Sequence, residues 1–128
     1  PPGYELDSEL MSRAEELAHG SGGAITVTHD QDTAYSEADV VYAKSWGAKR
    51  FYGRPEDELA YRADYRNNWI VDGEKMRRTS DAVFMHCLPV RRNVVVADEV
   101  IDSPNSLVID EAENRLHVQK AILSRLIK

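Results

Sequence analysis

The chain has 128 residues, 42% hydrophobic and 30% charged, which is enough apolar content for one core and enough charge for a solvated surface. Its formal net charge of -6 argues against non-specific binding to nucleic acid or to an anionic membrane, both of which need a basic face. No apolar run reaches the ~20 residues of a membrane-spanning helix, nothing resembles a signal peptide, and a single cysteine cannot form an internal disulfide, which fits a reducing, cytoplasmic setting.

The chain opens on Pro1-Pro2-Gly3-Tyr4 with no methionine, as expected of a processed protein or of a piece of a longer one. Asp7 is placed to cap a helix whose apolar positions Leu10, Met11, Ala14, Leu17 and Ala18 recur at helical spacing, with Gly20 as its stop. Gly22-Gly23 then turn the chain into Ala24-Ile25-Thr26-Val27-Thr28, a β-branched strand candidate. Asp30 or Asp32 caps a brief helix over Ala34, Tyr35 and Ala38, and Val40 to Ala43 is a second strand, ending in Lys44-Ser45-Trp46-Gly47. Residues 48–55 are basic and aromatic and read as a loop. Pro55 suits the first position of a helix, and Glu56, Asp57 and Glu58 suit its positive end.

Asp72 can cap a short helix through Met76 to Arg78. Ala82-Val83-Phe84-Met85-His86 is the third strand, an apolar run that ends in a thiol, a proline and two arginines at Cys87, Pro89, Arg91 and Arg92. A short helix follows around Asp98 to Ile101, then a turn at Ser103-Pro104-Asn105-Ser106. Leu107-Val108-Ile109 reads as a fourth strand, and a long helix carrying Leu116, Ala121, Ile122 and Leu126 closes the chain. Strand and helix alternate throughout, so the expected class is α/β: a mostly parallel sheet with helices on both faces.

In a parallel sheet all strands point one way and their carboxyl ends share one edge, where ligands collect. Three of the expected strands end in polar or reactive residues: Lys44-Ser45, His86-Cys87, and Asp110-Glu111 followed by Arg115. Their convergence predicts one site suited to an anionic small molecule. Plainer roles exist for each residue. Cys87 can be a small buried hydrophobe, His86 a hydrogen-bonded structural histidine, Lys44 a surface lysine and Trp46 a packing anchor. Arg115 stands four residues after Glu111 and can form a weak helix-surface ion pair with it. Arg91 and Arg92 are adjacent, so one is expected to face the site and the other solvent. Gly20-Ser21-Gly22-Gly23 precedes a strand rather than joining a strand to a helix, and so fails as a phosphate-binding loop.

Three segments carry a resemblance. Ala43-Lys44-Ser45-Trp46-Gly47, His86-Cys87-Leu88-Pro89 with Arg91-Arg92-Asn93, and Asp110-Glu111-Ala112-Glu113-Asn114-Arg115 together resemble the ornithine carbamoyltransferase family, and within it the branch acting on N-acetyl- or N-succinyl-ornithine. The resemblance covers essentially all 128 residues, but only the later part of such an enzyme. It implies that residues 1–128 are most of the second, amino-acid-binding domain, truncated at its N-terminus. The family's N-terminal domain holds carbamoyl phosphate through Ser-x-Arg-Thr and His-Pro-x-Gln motifs, and neither occurs here.

By the same resemblance, Cys87 and Leu88 would meet the carbamoyl group and the attacking amine, the Leu88 carbonyl accepting a hydrogen bond from that amine. A cis Leu88–Pro89 bond is implied as well. Arg115 would stabilise charge on the carbamoyl oxygen and phosphate, Lys44 would neutralise the amino-acid carboxylate, and Arg91 would assist on the substrate side. The implied reaction needs no cofactor, metal or covalent enzyme intermediate. The implied partners are carbamoyl phosphate, an N-acylated ornithine, the N-terminal domain, and further copies in a trimer. Val95 stands where acetylornithine enzymes carry a lysine, which is similar to the succinylornithine enzymes, whereas residues 110–120 are more similar to the acetyl ones. A non-catalytic amino-acid-binding or assembly module of the same fold is the alternative from another class.

Overall fold

The computed structural model describes residues 1–127. In chain order the elements are α1 (Ser8–Gly20), α2 (Gln31–Tyr35), β1 (Val40–Tyr42), a 3-10 turn (Lys49–Phe51), α3 (Pro55–Ala63), α4 (Gly73–Met76), β2 (Val83–Met85), α5 (Asp98–Ile101) and α6 (Val108–Leu126). Their starts follow the expected chemistry. The side chains of Asp7, Asp30 and Asp72 accept hydrogen bonds from the backbone N–H groups of Glu9, Asp32 and Lys75, satisfying donors that a helix start leaves open. Pro55 opens α3 with three carboxylates in its first turn.

β1 and β2 pair in parallel, with Val40 opposite Val83, Val41 opposite Phe84 and Tyr42 opposite Met85. Along β2 the period of two is explicit: Ala82, Phe84 and His86 are buried, while Val83, Met85 and Cys87 are half-buried. Phe84 is fully buried at the centre of a core formed with Val71, Val96, Val100, Ile101 and Val108. The class is α/β, a small parallel sheet with helices packed about it.

Two expected strands are not strands. Residues 24–28 lie in no ladder, because no backbone among the described residues pairs with theirs, and most of the segment is exposed. The fourth strand shrinks to one bridge. Phe84 N–H donates to Asn105 O and Leu107 N–H donates to Phe84 O, so the chain pairs once, at Ser106, beside β2. Leu107 then leaves the extended region, with ψ of 18°, and α6 begins at Val108. Asp110 and Glu111 therefore lie in the first turn of a helix, where the helix dipole favours them, and not at a strand end.

The helical spacing of α1 and α6 specifies helices whose apolar sides are largely uncovered here. Leu10 and Leu17 of α1 and Leu116, Ile122, Leu123 and Leu126 of α6 are all more than half exposed. No helix among the described residues is long and apolar enough to cross a membrane.

Candidate functional site

The register of the sheet brings the two strand ends together. Ala43 N–H donates to Met85 O at 3.0 Å, prolonging the pairing by one residue. The next residues out are Lys44 and Cys87, and Lys44 Nζ lies 3.0 Å from Cys87 Sγ. The lysine ammonium donates to the sulfur and favours its anionic form, holding the Cys87 thiol below the ordinary cysteine range, with Tyr42 adding to the effect. Cys87 is half-buried, so its expected role as a buried apolar filler does not hold.

Tyr42, two residues before Lys44, reaches across to α6, where its hydroxyl donates to Glu111 Oε1 at 2.6 Å. That carboxylate accepts the phenolic proton and pushes the Tyr42 pKa up to about 12, so the phenol is neutral and serves as a donor at neutral pH. Glu111 is thereby drawn off the helix surface. The expected ion pair between Glu111 and Arg115 is absent among the described residues. The other carboxylate oxygen of Glu111, Oε2, is buried without a partner. Glu111 is among the polar residues the sequence predicts to converge, whereas Tyr42 is not. Tyr42 carried one usable signal, since alternation along a strand puts it on the same side as Lys44.

His86 is 1% exposed on the core side of β2. Its Nδ1 accepts the Leu88 N–H at 2.9 Å, so it is a hydrogen-bonded histidine and is not paired with the Cys87 thiol. Its Nε2 is buried with no partner. The Leu88–Pro89 bond is cis, and Leu88 has φ of 48°, in the left-handed region that a leucine seldom adopts.

The remaining residues divide. Arg92 forms a paired bond to Asp102, with both contacts at 2.6 Å, and a further one to Asp98 at 2.9 Å, so it serves the turn into α5. Arg91 instead lines a cleft of about 360 Å³ together with Trp46, Leu59, Arg62, Val94 and Val95. Trp46 does anchor packing, its ring meeting Tyr4 and Trp69 at 5.8 and 6.5 Å between centroids. Arg115 is exposed on the second turn of α6, with no ion-pair partner among the described residues. Lys44, Cys87, Tyr42 and Glu111 thus form one contact network beside the Leu88–Pro89 turn, and neither Arg91 nor Arg115 hydrogen-bonds to it among the described residues.

The lysine–thiol contact has a direct test. Replacing Lys44 by methionine removes the donor and the charge that stabilise the thiolate, so the Cys87 pKa rises and alkylation by iodoacetamide at neutral pH slows. Unchanged alkylation rates across pH 6 to 9 would mean that Lys44 does not hold the sulfur in solution.

The lysine–thiol contact and the cis X-Pro turn thus lie at one parallel two-strand edge, beside a helix that starts Val108-Ile109-Asp110-Glu111-Ala112-Glu113-Asn114-Arg115. The family model for the aspartate/ornithine carbamoyltransferase Asp/Orn-binding domain matches residues 1–126, and the chain belongs to that family. Within it, the chain is 55% identical over 126 residues to N-acetylornithine carbamoyltransferase of Xanthomonas campestris pv. campestris, covering 98% of this chain and 37% of that relative. It is 44% identical over 128 residues to ornithine carbamoyltransferase of Pyrococcus horikoshii, covering 99% of this chain and 39% of that protein.

Among solved structures, acetylornithine transcarbamylase complexed with acetylcitrulline superimposes with a TM-score of 0.91 at 54% identity, over all of this chain and 38% of the other. A mutant of N-acetyl-L-ornithine transcarbamylase complexed with carbamyl phosphate and N-succinyl-L-norvaline gives a TM-score of 0.90, also at 54% identity, over 99% of this chain and 38% of the other. The chain therefore spans somewhat over a third of the length of the relatives it matches.

Proposed function

We propose that residues 1–128 are the amino-acid-binding half of an enzyme that moves the carbamoyl group of carbamoyl phosphate to the side-chain amine of an N-acylated ornithine. The observation that carries this reading is the Lys44–Cys87 contact, which joins two of the three family segments at the carboxyl ends of adjacent parallel strands. The names of the relatives support the substrate class: N-acetylornithine carbamoyltransferases at 50–55% identity precede ornithine carbamoyltransferases at 42–44%. The full-length protein works in the cytoplasm in this reading, with the carbamoyl phosphate supplied by a separate N-terminal domain and with copies assembled as trimers.

The chemistry requires positioning and charge balance. The substrate amine attacks the carbamoyl carbon, a C–N bond forms, and the C–O bond to phosphate breaks with the electron pair leaving on phosphate. The amine gives up one proton. Holding two ligands in line and stabilising the charge that develops on the carbamoyl oxygen and phosphate supply the rate. Leu88 offers its backbone carbonyl to the amine, Cys87 touches the carbamoyl group, and Arg115 faces the carbamoyl oxygen and phosphate. Lys44 neutralises the substrate carboxylate in exchange for its contact with the Cys87 sulfur, and Arg91 closes the substrate side. The decisive experiment is carbamoyl transfer by the full-length protein, offered N-acetylornithine, N-succinylornithine and ornithine separately. Formation of the corresponding citrulline from an N-acylated ornithine is the expected result, and transfer to none of the three would end this reading.

A further inference from the structure

We propose that His86 is a positioning residue for this transfer, holding the Leu88 N–H as a neutral imidazole protonated at Nε2 and thereby fixing the backbone that meets the substrate amine. The inference rests on the carbamoyl-transfer reading for the role of Leu88, and on geometry for the rest. The Leu88 N–H donates to His86 Nδ1 at 2.9 Å, and a ring nitrogen that accepts carries no proton. The proton of the neutral ring is then on Nε2, the tautomer being set by the bond at the other nitrogen. Leu88 itself sits at φ of 48°, a conformation that costs a non-glycine residue free energy and that persists where surrounding contacts over-determine it. The buried ring is one such contact.

The surroundings keep the ring in that state. His86 is 1% exposed, and burial is the main influence holding its pKa below the ordinary histidine value of 6.5. The Lys44 ammonium at the end of β1 acts in the same direction, and Glu111 at the start of α6 opposes it. Both of these groups are themselves engaged, Lys44 with Cys87, next along the strand, and Glu111 with Tyr42. His86 Nε2, the nitrogen that carries the proton in this tautomer, is buried without a hydrogen-bond partner among the described residues. A proton added at Nδ1 would turn the acceptor of the Leu88 N–H into a second donor. The depressed basicity means that the arrangement is intact above the ordinary histidine pKa and is lost as pH falls through the lower folded value.

Two substitutions separate positioning from packing. Asparagine can place a side-chain oxygen where Nδ1 stands, whereas glutamine places its polar atoms where Nε2 stands. In the full-length enzyme, His86→Gln is expected to lower kcat by about 10²-fold, the order expected for a misplacement near 1 Å. His86→Asn is expected to recover turnover to within about tenfold of the native enzyme and to lose the acid limb of its pH profile. In the native enzyme, ¹⁵N-histidine spectra at pH 7.5, with His86 assigned by its absence from the asparagine variant, should report an Nε2–H imidazole. An Nδ1–H or doubly protonated ring at that pH would overturn the proposal. So would equal impairment of both variants with an unmoved pH profile, or full activity in both. No transfer by the native enzyme would sink the carbamoyl-transfer reading instead, and the imidazole spectrum would then decide whether the Leu88 contact exists.

Discussion

Replacing Arg115 by alanine in the full-length enzyme should lower kcat by about 10²- to 10³-fold, the effect of deleting one charge-stabilising donor from a transition state. Arg115 stands one turn beyond Glu111 on α6, exposed and without an ion-pair partner among the described residues, so its guanidinium is not committed to holding the fold. A charge on a helix surface with no local partner contributes little to stability, and the loss should therefore fall on turnover with the melting temperature nearly unchanged. Arg115→Lys should recover only part of it, because an ammonium cannot present two parallel donors to carbamoyl and phosphate oxygens. Single-turnover citrulline formation is the appropriate measurement. Near-native turnover of the alanine variant would remove Arg115 from the charge-stabilising role.

The second large effect concerns the 128-residue chain on its own, for which no carbamoyl transfer above the uncatalysed background is expected. It contains Lys44, Cys87, Leu88, Arg91 and Arg115 but neither a Ser-x-Arg-Thr nor a His-Pro-x-Gln segment, so on the proposed reading it offers Arg115 alone to the phosphate of carbamoyl phosphate. Without that ligand held in line, the advantage of bringing two reactants together, worth about 7–11 kcal/mol of barrier in well-oriented systems, is not available. The uncovered apolar sides of α1 and α6 agree with a chain that packs against more protein than is described here. Binding is a separate matter, since the residues proposed to meet the amino acid, Lys44 and Leu88, belong to this chain. Calorimetry with the N-acylated ornithine, run beside the transfer assay, separates loss of binding from loss of chemistry. Measurable transfer by the isolated chain would show that the amino-acid half is sufficient, contrary to expectation.

Much of the fold was legible in local chemistry. Each aspartate placed ahead of an apolar periodic run caps a helix, at Asp7, Asp30 and Asp72, because a short carboxylate satisfies N–H groups that every helix start leaves open. The apolar runs at Val40–Tyr42 and Val83–Met85 became parallel strands. The two failures share a cause. Residues 24–28 and 107–109 have strand composition, but a strand exists only when a second backbone lies beside it. One segment found none among the described residues, and the other found a single bridge before its acidic residues turned it into a helix start.

For the site, the sequence by itself determined the residue types: a lysine and a thiol at the carboxyl ends of two strands, a proline turn beyond the thiol, and arginines on the segments that follow. It also carried the family segments from which the class of chemistry was read. Only the tertiary structure decided which of these residues meet. Parallel register, set by backbone hydrogen bonding between residues 43 apart, put Lys44 Nζ on Cys87 Sγ. The early start of α6 delivered Glu111 to the Tyr42 hydroxyl and left Arg115 free of it. Alternation along β2 could place His86 on the buried side, but it could not reveal that its ring nitrogen would accept the Leu88 N–H. Periodicity and capping act over a few residues and are written locally; hydrogen-bond partners across a sheet edge depend on register and on where the next helix begins, which the whole packed chain sets.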